Sequence, residues 1–244
     1  MKTTKVLQTN ITETSLDEVS KALNSSVGIR VAICNANTLV RSVKNTKINN
    51  IINNFTIKTP DGFPVAKALS FFSKQKFSRV DGYKLFLQTI QEGISLQKRH
   101  YFFGSDIATT QAMINKLNLR YPEINITGFL CPEIMTPDEL FKKYKKEIES
   151  IDADIVWVSL GFPKQEIFID HVFEDGRPNI NYVGIGGVFE WVAGTKKKAP
   201  EWLANLGLEW LFRLVQDPKR LYKRYFIDNT LFIVYFLRQA LFRR

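Results

Sequence analysis

Five short, nearly uninterrupted apolar segments constrain this chain more than any other feature. They are Ile29-Arg30-Val31-Ala32-Ile33-Cys34, Tyr101-Phe102-Phe103, Asn125-Ile126-Thr127-Gly128-Phe129, Ile155-Val156-Trp157-Val158-Ser159-Leu160 and Asn181-Tyr182-Val183-Gly184-Ile185. Strands that are apolar on both faces belong in a sheet covered on both sides, which is the condition of a parallel sheet. The intervening stretches read as helices. Ala108 to Tyr121 sets Met113, Leu117 and Tyr121 on one face, and Pro137 to Ser150 follows a capping box of Thr136 and Glu139. Alternation of this kind predicts an α/β fold with a mostly parallel sheet.

After about Pro200 the strands stop. Leu206 to Gln216 reads as an aromatic-rich helix, and Asp217-Pro218 as an N-cap and first residue of another that carries Lys219, Arg220, Lys223 and Arg224. Tyr225 to Phe242 is apolar but broken by Asp228, Asn229 and Arg238. Charge divides at the same place. Of the net +10, residues 196–244 hold 11 Lys/Arg against 4 Asp/Glu, and residues 1–195 hold 23 against 20. The organisation is therefore a near-neutral α/β body over 1–195 and a basic, aromatic appendage over 196–244. A basic helix followed by an aromatic-aliphatic one suits an anionic membrane surface or a diphosphate; a solvated face with an apolar strip docked on the body fits as well. The N-terminal residues lack the apolar core of a secretory signal, and no run reaches the length of a spanning helix. A membrane contact would be peripheral, and two distant cysteines, Cys34 and Cys131, suit a cytoplasmic protein.

Chemistry should gather where strands end. Gly104-Ser105, Gly161-Phe162-Pro163 and Gly186-Gly187 each lead from an apolar segment toward a helix start. In a parallel sheet these turns share one edge, where helix N-termini present free N–H groups to phosphate. None of them matches the dinucleotide or P-loop pattern. Asn35 and Asn37 follow the first apolar strand, and Lys164 and Gln165 stand where they can face a ligand. Asp61 in Asp61-Gly62-Phe63-Pro64 reads as a turn residue or as a general base. Arg79 reads as a fork for a diphosphate or as a partner for Asp81. Asp152-Ala153-Asp154 has the form of a metal-binding pair, but it precedes a strand and so lies at the opposite edge of the sheet. His100 and His171 are too scattered to form a zinc site.

Several segments together resemble the WecG/TagA/CpsF family, glycosyltransferase family 26. They are Thr59-Pro60-Asp61-Gly62, Arg79-Val80-Asp81-Gly82, Phe102-Phe103-Gly104-Ser105, Leu160-Gly161-Phe162-Pro163-Lys164-Gln165-Glu166 and the run from Gly184 to Tyr225. The resemblance implies a Rossmann-like body whose C-terminal appendage meets the membrane. It implies metal-independent, inverting transfer from a UDP-sugar to an undecaprenyl-diphosphate-linked sugar, without a cofactor, on the inner face of a bacterial membrane. It assigns Asp61 as base, Asn35, Arg79 and Gln165 to the pocket, and Arg213, Arg220 and Arg224 to the acceptor diphosphate. Ile33 stands where some members carry a pocket threonine, so the donor stays open among N-acetylmannosamine, its uronic acid, glucose and similar sugars. Another UDP-sugar enzyme, such as an epimerase, would explain the glycine turns but not the tail. Nucleic acid ranks last as a partner, because no recognisable binding module accompanies the charge. The exposed apolar tail also allows a homo-oligomer.

Overall fold

In the computed structural model the five apolar segments become parallel strands. The structure describes residues 1–176 and 179–242, apart from the side chains of Asn205, Arg220, Lys223 and Arg224. A hairpin of β1 (Thr3–Val6) and β2 (Thr9–Thr12) leads to α1 (Leu16–Ser25), whose Ser15 and Glu18 form a capping box. Then come β3 (Arg30–Cys34), α2 (Ala36–Lys44), α3 (Thr46–Asn54), β4 (Ile57–Pro60), α4 (Phe63–Ser73) and α5 (Gly82–Gly93). The middle of the chain gives β5 (Arg99–Gly104), α6 (Ile107–Arg120), β6 (Asn125–Leu130), α7 (Pro137–Lys143) and α8 (Lys145–Glu149). The body closes with β7 (Ile155–Ser159), α9 (Lys164–Glu174), β8 (Asn181–Gly184) and α10 (Val188–Ala193).

The six-stranded sheet has the order β4-β3-β8-β7-β5-β6, and every pairing in it is parallel. From β3 the chain crosses to its outer neighbour β4, then passes to β5 on the far side, and β8 fills the gap beside β3. Such a reversal of direction opens a crevice above the carboxyl ends of the strands. Helices cover both faces. One core gathers Phe103, Phe168, Ile169 and Tyr182, and the other Phe86, Phe102, Trp157 and Phe189. The α/β expectation and its helical appendage are therefore seen.

Two expected elements differ in detail. The helix over Pro137–Ser150 keeps its Thr136–Glu139 box but divides at Tyr144, and Leu140 and Ile148 are buried on either side of the break. The helix expected over Leu206–Gln216 begins late. The chain instead forms α11 (Glu201–Asn205) and α12 (Glu209–Gln216), separated by Gly207 at φ 76°. A Cβ there would stand 3.3 Å from the Phe63 ring, so the turn lies close against the start of α4. The chain continues through α13 (Pro218–Lys223), one π-helical turn (Arg224–Asp228) and α14 (Asn229–Phe242).

The appendage rests on the body through its last helix. Phe232 is buried in the core, and Phe236 packs edge-on against Phe71 at 5.4 Å. Gln239 accepts from the Leu7 N–H at 2.6 Å and donates to the Lys5 carbonyl at 2.9 Å, which ties α14 to the hairpin. Asn37 donates to Asp228. On the other side of α14, Ile233, Val234, Leu237 and Leu241 are exposed. Among the described residues no helix is long and apolar enough to cross a membrane.

Candidate active site

The crevice above the sheet holds two cavities that share a wall. The first is lined from the strand ends by Asn35, Asp61, Gly161, Gln165, Gly186 and Gly187, and from outside by Trp191, Lys196, Lys197 and Gln216. The second lies between Gly62, Phe63, Pro64 and Arg79 of the body and Gly207, Trp210 and Asn229 of the appendage. Asn35, Asp61, Glu209, Arg213 and Tyr225 line both.

Asp61 follows directly from the end of β4. Its N–H donates to the Cys34 carbonyl at 2.9 Å, continuing the β3–β4 ladder one residue past the strand. Gly62, at φ 79°, then turns the chain into α4 with Pro64 in the first turn. The segment before α5 is fastened to the same strand end, because the Val80 N–H donates to the Pro60 carbonyl at 2.9 Å. That bond brings Arg79 and Asp81 beside Asp61. Burial, reinforced by the Asp81 and Glu209 charges, raises the Asp61 carboxyl to about 7, while Arg213 and Arg79 oppose the rise.

A chain of alternating charges surrounds this carboxyl. Lys198 donates to Asp81 at 2.9 Å, Arg79 meets Asp81 at 3.3 Å and Glu209 at 2.6 Å, and Glu209 meets Arg213 at 2.7 Å. Asp81 also caps α5 by accepting from the Tyr83 and Lys84 N–H groups. Burial works to raise Asp81, but Lys198, these bonds and Arg79 bring it below the usual carboxylate range. The Arg213 guanidinium lies 4.3 Å over the Trp191 ring.

The residues singled out in the sequence divide into three groups. Asn35, Asp61, Gln165, Gly186 and Arg213 meet in the first cavity, and Arg79 joins Asn35, Asp61 and Arg213 in the second. Gln165 is aimed inward rather than out at a ligand. Its Oε1 accepts from the N–H groups of Gly161 and Gly186, and its Nε2 donates to Glu166. Asn35 caps α2 through Thr38 while its side chain lines the crevice. Gly104 and Ser105 line neither cavity. Ser105 N–H closes onto the Ser159 carbonyl at 3.0 Å, and β5 stands beyond β7, on the same edge as the other turns but further from the crevice. The side chains of Arg220 and Arg224 lie outside the described residues.

The acidic pair Asp152 and Asp154 sits at the amino edge of the sheet, as expected, and both carboxylates are held by Arg99. His100 is buried against Trp157, whose indole donates to its Nδ1 at 3.2 Å, and burial lowers it to about 4. Three participants were not singled out in the sequence. An acid at the first position of a helix, as Glu209 is, is ordinary there. Lys198 is one of three consecutive lysines, and Trp191 reads as a core residue.

Known proteins similar to this chain are glycosyltransferases. The chain is 26% identical over 198 residues to the N-acetylglucosaminyldiphosphoundecaprenol N-acetyl-beta-D-mannosaminyltransferase of Bacillus subtilis (strain 168), covering 81% of this chain and 75% of that protein. It is 28% identical, with the same coverage, to the enzyme of that name from Bacillus spizizenii (strain ATCC 23059 / NRRL B-14472 / W23). The model of the glycosyl transferase WecG/TagA/CpsF family matches residues 4–244, and the chain belongs to that family.

Proposed function

We propose that this chain is an inverting glycosyltransferase that moves a sugar from a UDP-sugar to a polyprenyl-diphosphate-linked sugar, with Asp61 as general base. One observation carries this reading: a carboxyl raised to about 7 stands where two cavities meet, each with its own chemistry. The first cavity offers the turn through Gly187 into α10, held open by the Gln165 brace on Gly161 and Gly186, together with Lys196 and Lys197, which suits a nucleotide diphosphate. The second runs between the start of α4 and the appendage, past Phe63 and Trp210, which suits an acceptor arriving on a lipid. N-acetylmannosamine is the first donor to test and lipid-linked N-acetylglucosamine the first acceptor, because the two Bacillus relatives are named for that pair.

In the proposed reaction an acceptor hydroxyl in the second cavity hydrogen-bonds Asp61. Its oxygen attacks the anomeric carbon of the donor while the carboxylate takes the proton. The bond from that carbon to the UDP oxygen breaks on the opposite face, so the configuration inverts and UDP leaves. A base with a pKa near the working pH is ionised often enough to act and basic enough to accept the proton. Negative charge growing on the departing diphosphate is met by cationic side chains and backbone N–H groups, so we assign no metal and no cofactor. The place of action is the cytoplasmic face of the membrane, with the exposed side of α14 against the lipid.

The test is UDP release from a panel of UDP-sugars with a short polyprenyl-diphosphate-linked N-acetylglucosamine, run with EDTA. Release that requires the lipid acceptor and tolerates EDTA supports the reading and identifies the donor. Release from a soluble UDP-sugar without any acceptor favours a different UDP-sugar enzyme.

A further inference from the structure

The transfer described above has no task for Glu209, yet this carboxylate lines both cavities. It is the first residue of α12, where an acid favours the helix dipole. That role asks only for a negative charge facing the helix end. The observed side chain does something more specific. Its two oxygens are divided between two elements: Oε2 takes Arg79 Nη1 at 2.6 Å and Oε1 takes Arg213 Nη2 at 2.7 Å. Arg79 belongs to the body and Arg213 to the appendage. All three side chains are largely withdrawn from water, with Glu209 16% and Arg79 18% exposed. Without the carboxylate, two guanidinium groups beside the same crevice would repel each other.

We propose that Glu209 is a positioning residue that registers the appendage on the body, by holding Arg79 and Arg213 together beside Asp61. The proposal rests on the reading of Asp61 as general base. An amide at position 209 is a poor substitute, since its one oxygen serves a single guanidinium and its NH2 faces the other. An aspartate keeps the charge but has a shorter reach.

The arrangement also couples Glu209 to the base. The groups facing Asp61 are Asp81 and Arg79 from the segment before α5, Glu209 and Arg213 from α12, and the Cys34 thiol beneath it on β3. Glu209 adds to the upward shift that burial begins, so its neutralisation lets Asp61 ionise at lower pH. A residue that merely stabilised the fold would not move that titration.

The experiment compares wild type, Glu209→Gln and Glu209→Asp in lipid-dependent UDP release across pH, with amide exchange over 201–223 measured on the same full-length proteins. For Glu209→Gln, kcat/KM is expected to fall roughly tenfold or more, as when one partner of a buried charge pair is removed. Its acid limb should move to lower pH, and α12 should exchange faster. Glu209→Asp should leave the acid limb near that of wild type with an intermediate rate, and it provides the reading if the glutamine variant does not fold. Wild-type rate, acid limb and exchange in Glu209→Gln would overturn the proposal, as would lost rate with the limb and exchange both unmoved. If Asp61→Asn turns over normally, the base assignment fails on its own. The exchange of α12 then still decides whether Glu209 fastens the appendage.

Discussion

The side-chain carbonyl of Gln165 accepts a hydrogen bond from the backbone N–H of Gly186 at 3.0 Å. The same oxygen accepts from the Gly161 N–H at 3.2 Å, so one amide braces the turns after β7 and β8. Gly184 allows this: a Cβ there would stand 2.9 Å from Gln165 Nε2. Replacing Gln165 with alanine removes the acceptor from two N–H groups at the floor of the first cavity. The expected cost is about 1–3 kcal/mol of stability, the range for leaving buried donors unpaired. UDP affinity should weaken as well. Urea denaturation and calorimetric titration with UDP check both, and unchanged UDP binding would show that the brace does not shape the cavity.

Asp61→Asn should abolish most lipid-dependent turnover while leaving UDP binding near wild type. In the wild-type enzyme, activity should rise with pH through a limb near 7, because the base must be ionised to accept the proton. A pH–rate profile on kcat/KM measures the limb. A near-normal rate in the asparagine variant would sink the assignment.

The same carboxyl makes an expectation about stability. Its folded-state pKa of about 7 lies above the ordinary aspartate value of 3.8, so ionisation is less favourable in the folded chain than in the unfolded one. The destabilising contribution is absent below about pH 4, grows between the two values and is complete above pH 7. Asp61→Asn should therefore be more stable than wild type at pH 8, by about 2–4 kcal/mol, and little different near pH 4. Denaturant midpoints at the two pH values test the sign.

Gly104 has a structural duty that its place after an apolar strand conceals. It sits at φ 110°, and a Cβ there would meet the Ser159 carbonyl oxygen at 2.4 Å. Gly161, at φ 76°, has nothing within 4 Å of the same position. Gly161→Ala should cost about 1–2 kcal/mol from backbone strain alone. Gly104→Ala should cost clearly more, since the backbone of β7 must also move. Equal midpoint shifts for the two variants would contradict the close approach of β5 and β7.

Much of the architecture could be read from the chain because burial in the sheet leaves a plain apolar record in β3, β5, β7 and β8; β6 was also found, but as an edge strand none of its residues is buried, so the expected covering of both faces does not hold there. The strand that leads to Asp61 left no such record. Only four residues long, β4 includes Lys58 and Pro60, yet all of it is buried. Lys58 is tolerated because its ammonium donates to the Phe55 and Asn53 carbonyls near the end of α3. Asp61 itself came from resemblance, since a turn aspartate before glycine is common. Strand order was equally silent: a glycine turn after β5 looks like those after β7 and β8, and only the sheet shows that it stands aside. Gln165 was found but its direction was not, because helix position alone cannot distinguish an amide facing a ligand from one turned onto two neighbouring N–H groups.

The appendage provides a last test, in which one helix should separate two roles. Phe232 on α14 is buried in the body, whereas Leu237 is 51% exposed on the other side together with Ile233, Val234 and Leu241. If that side lies in lipid, Leu237→Asp should leave thermal stability near wild type and weaken binding to anionic vesicles. An exposed leucine contributes little to the fold but up to about 1.5–3 kcal/mol when fully buried in an apolar phase. Phe232→Ala should do the reverse first, costing about 3–5 kcal/mol if its site cannot collapse and loosening α14 from the hairpin. Deletion of residues 196–244 should remove both the vesicle binding and the walls that Glu209 and Arg213 give the crevice. Co-sedimentation with vesicles of phosphatidylglycerol, alongside melting curves, distinguishes the cases. Vesicle binding by the truncated chain equal to that of the full one would place the lipid contact elsewhere, with the exposed Phe63 and Phe71 of α4 as the next side chains to change.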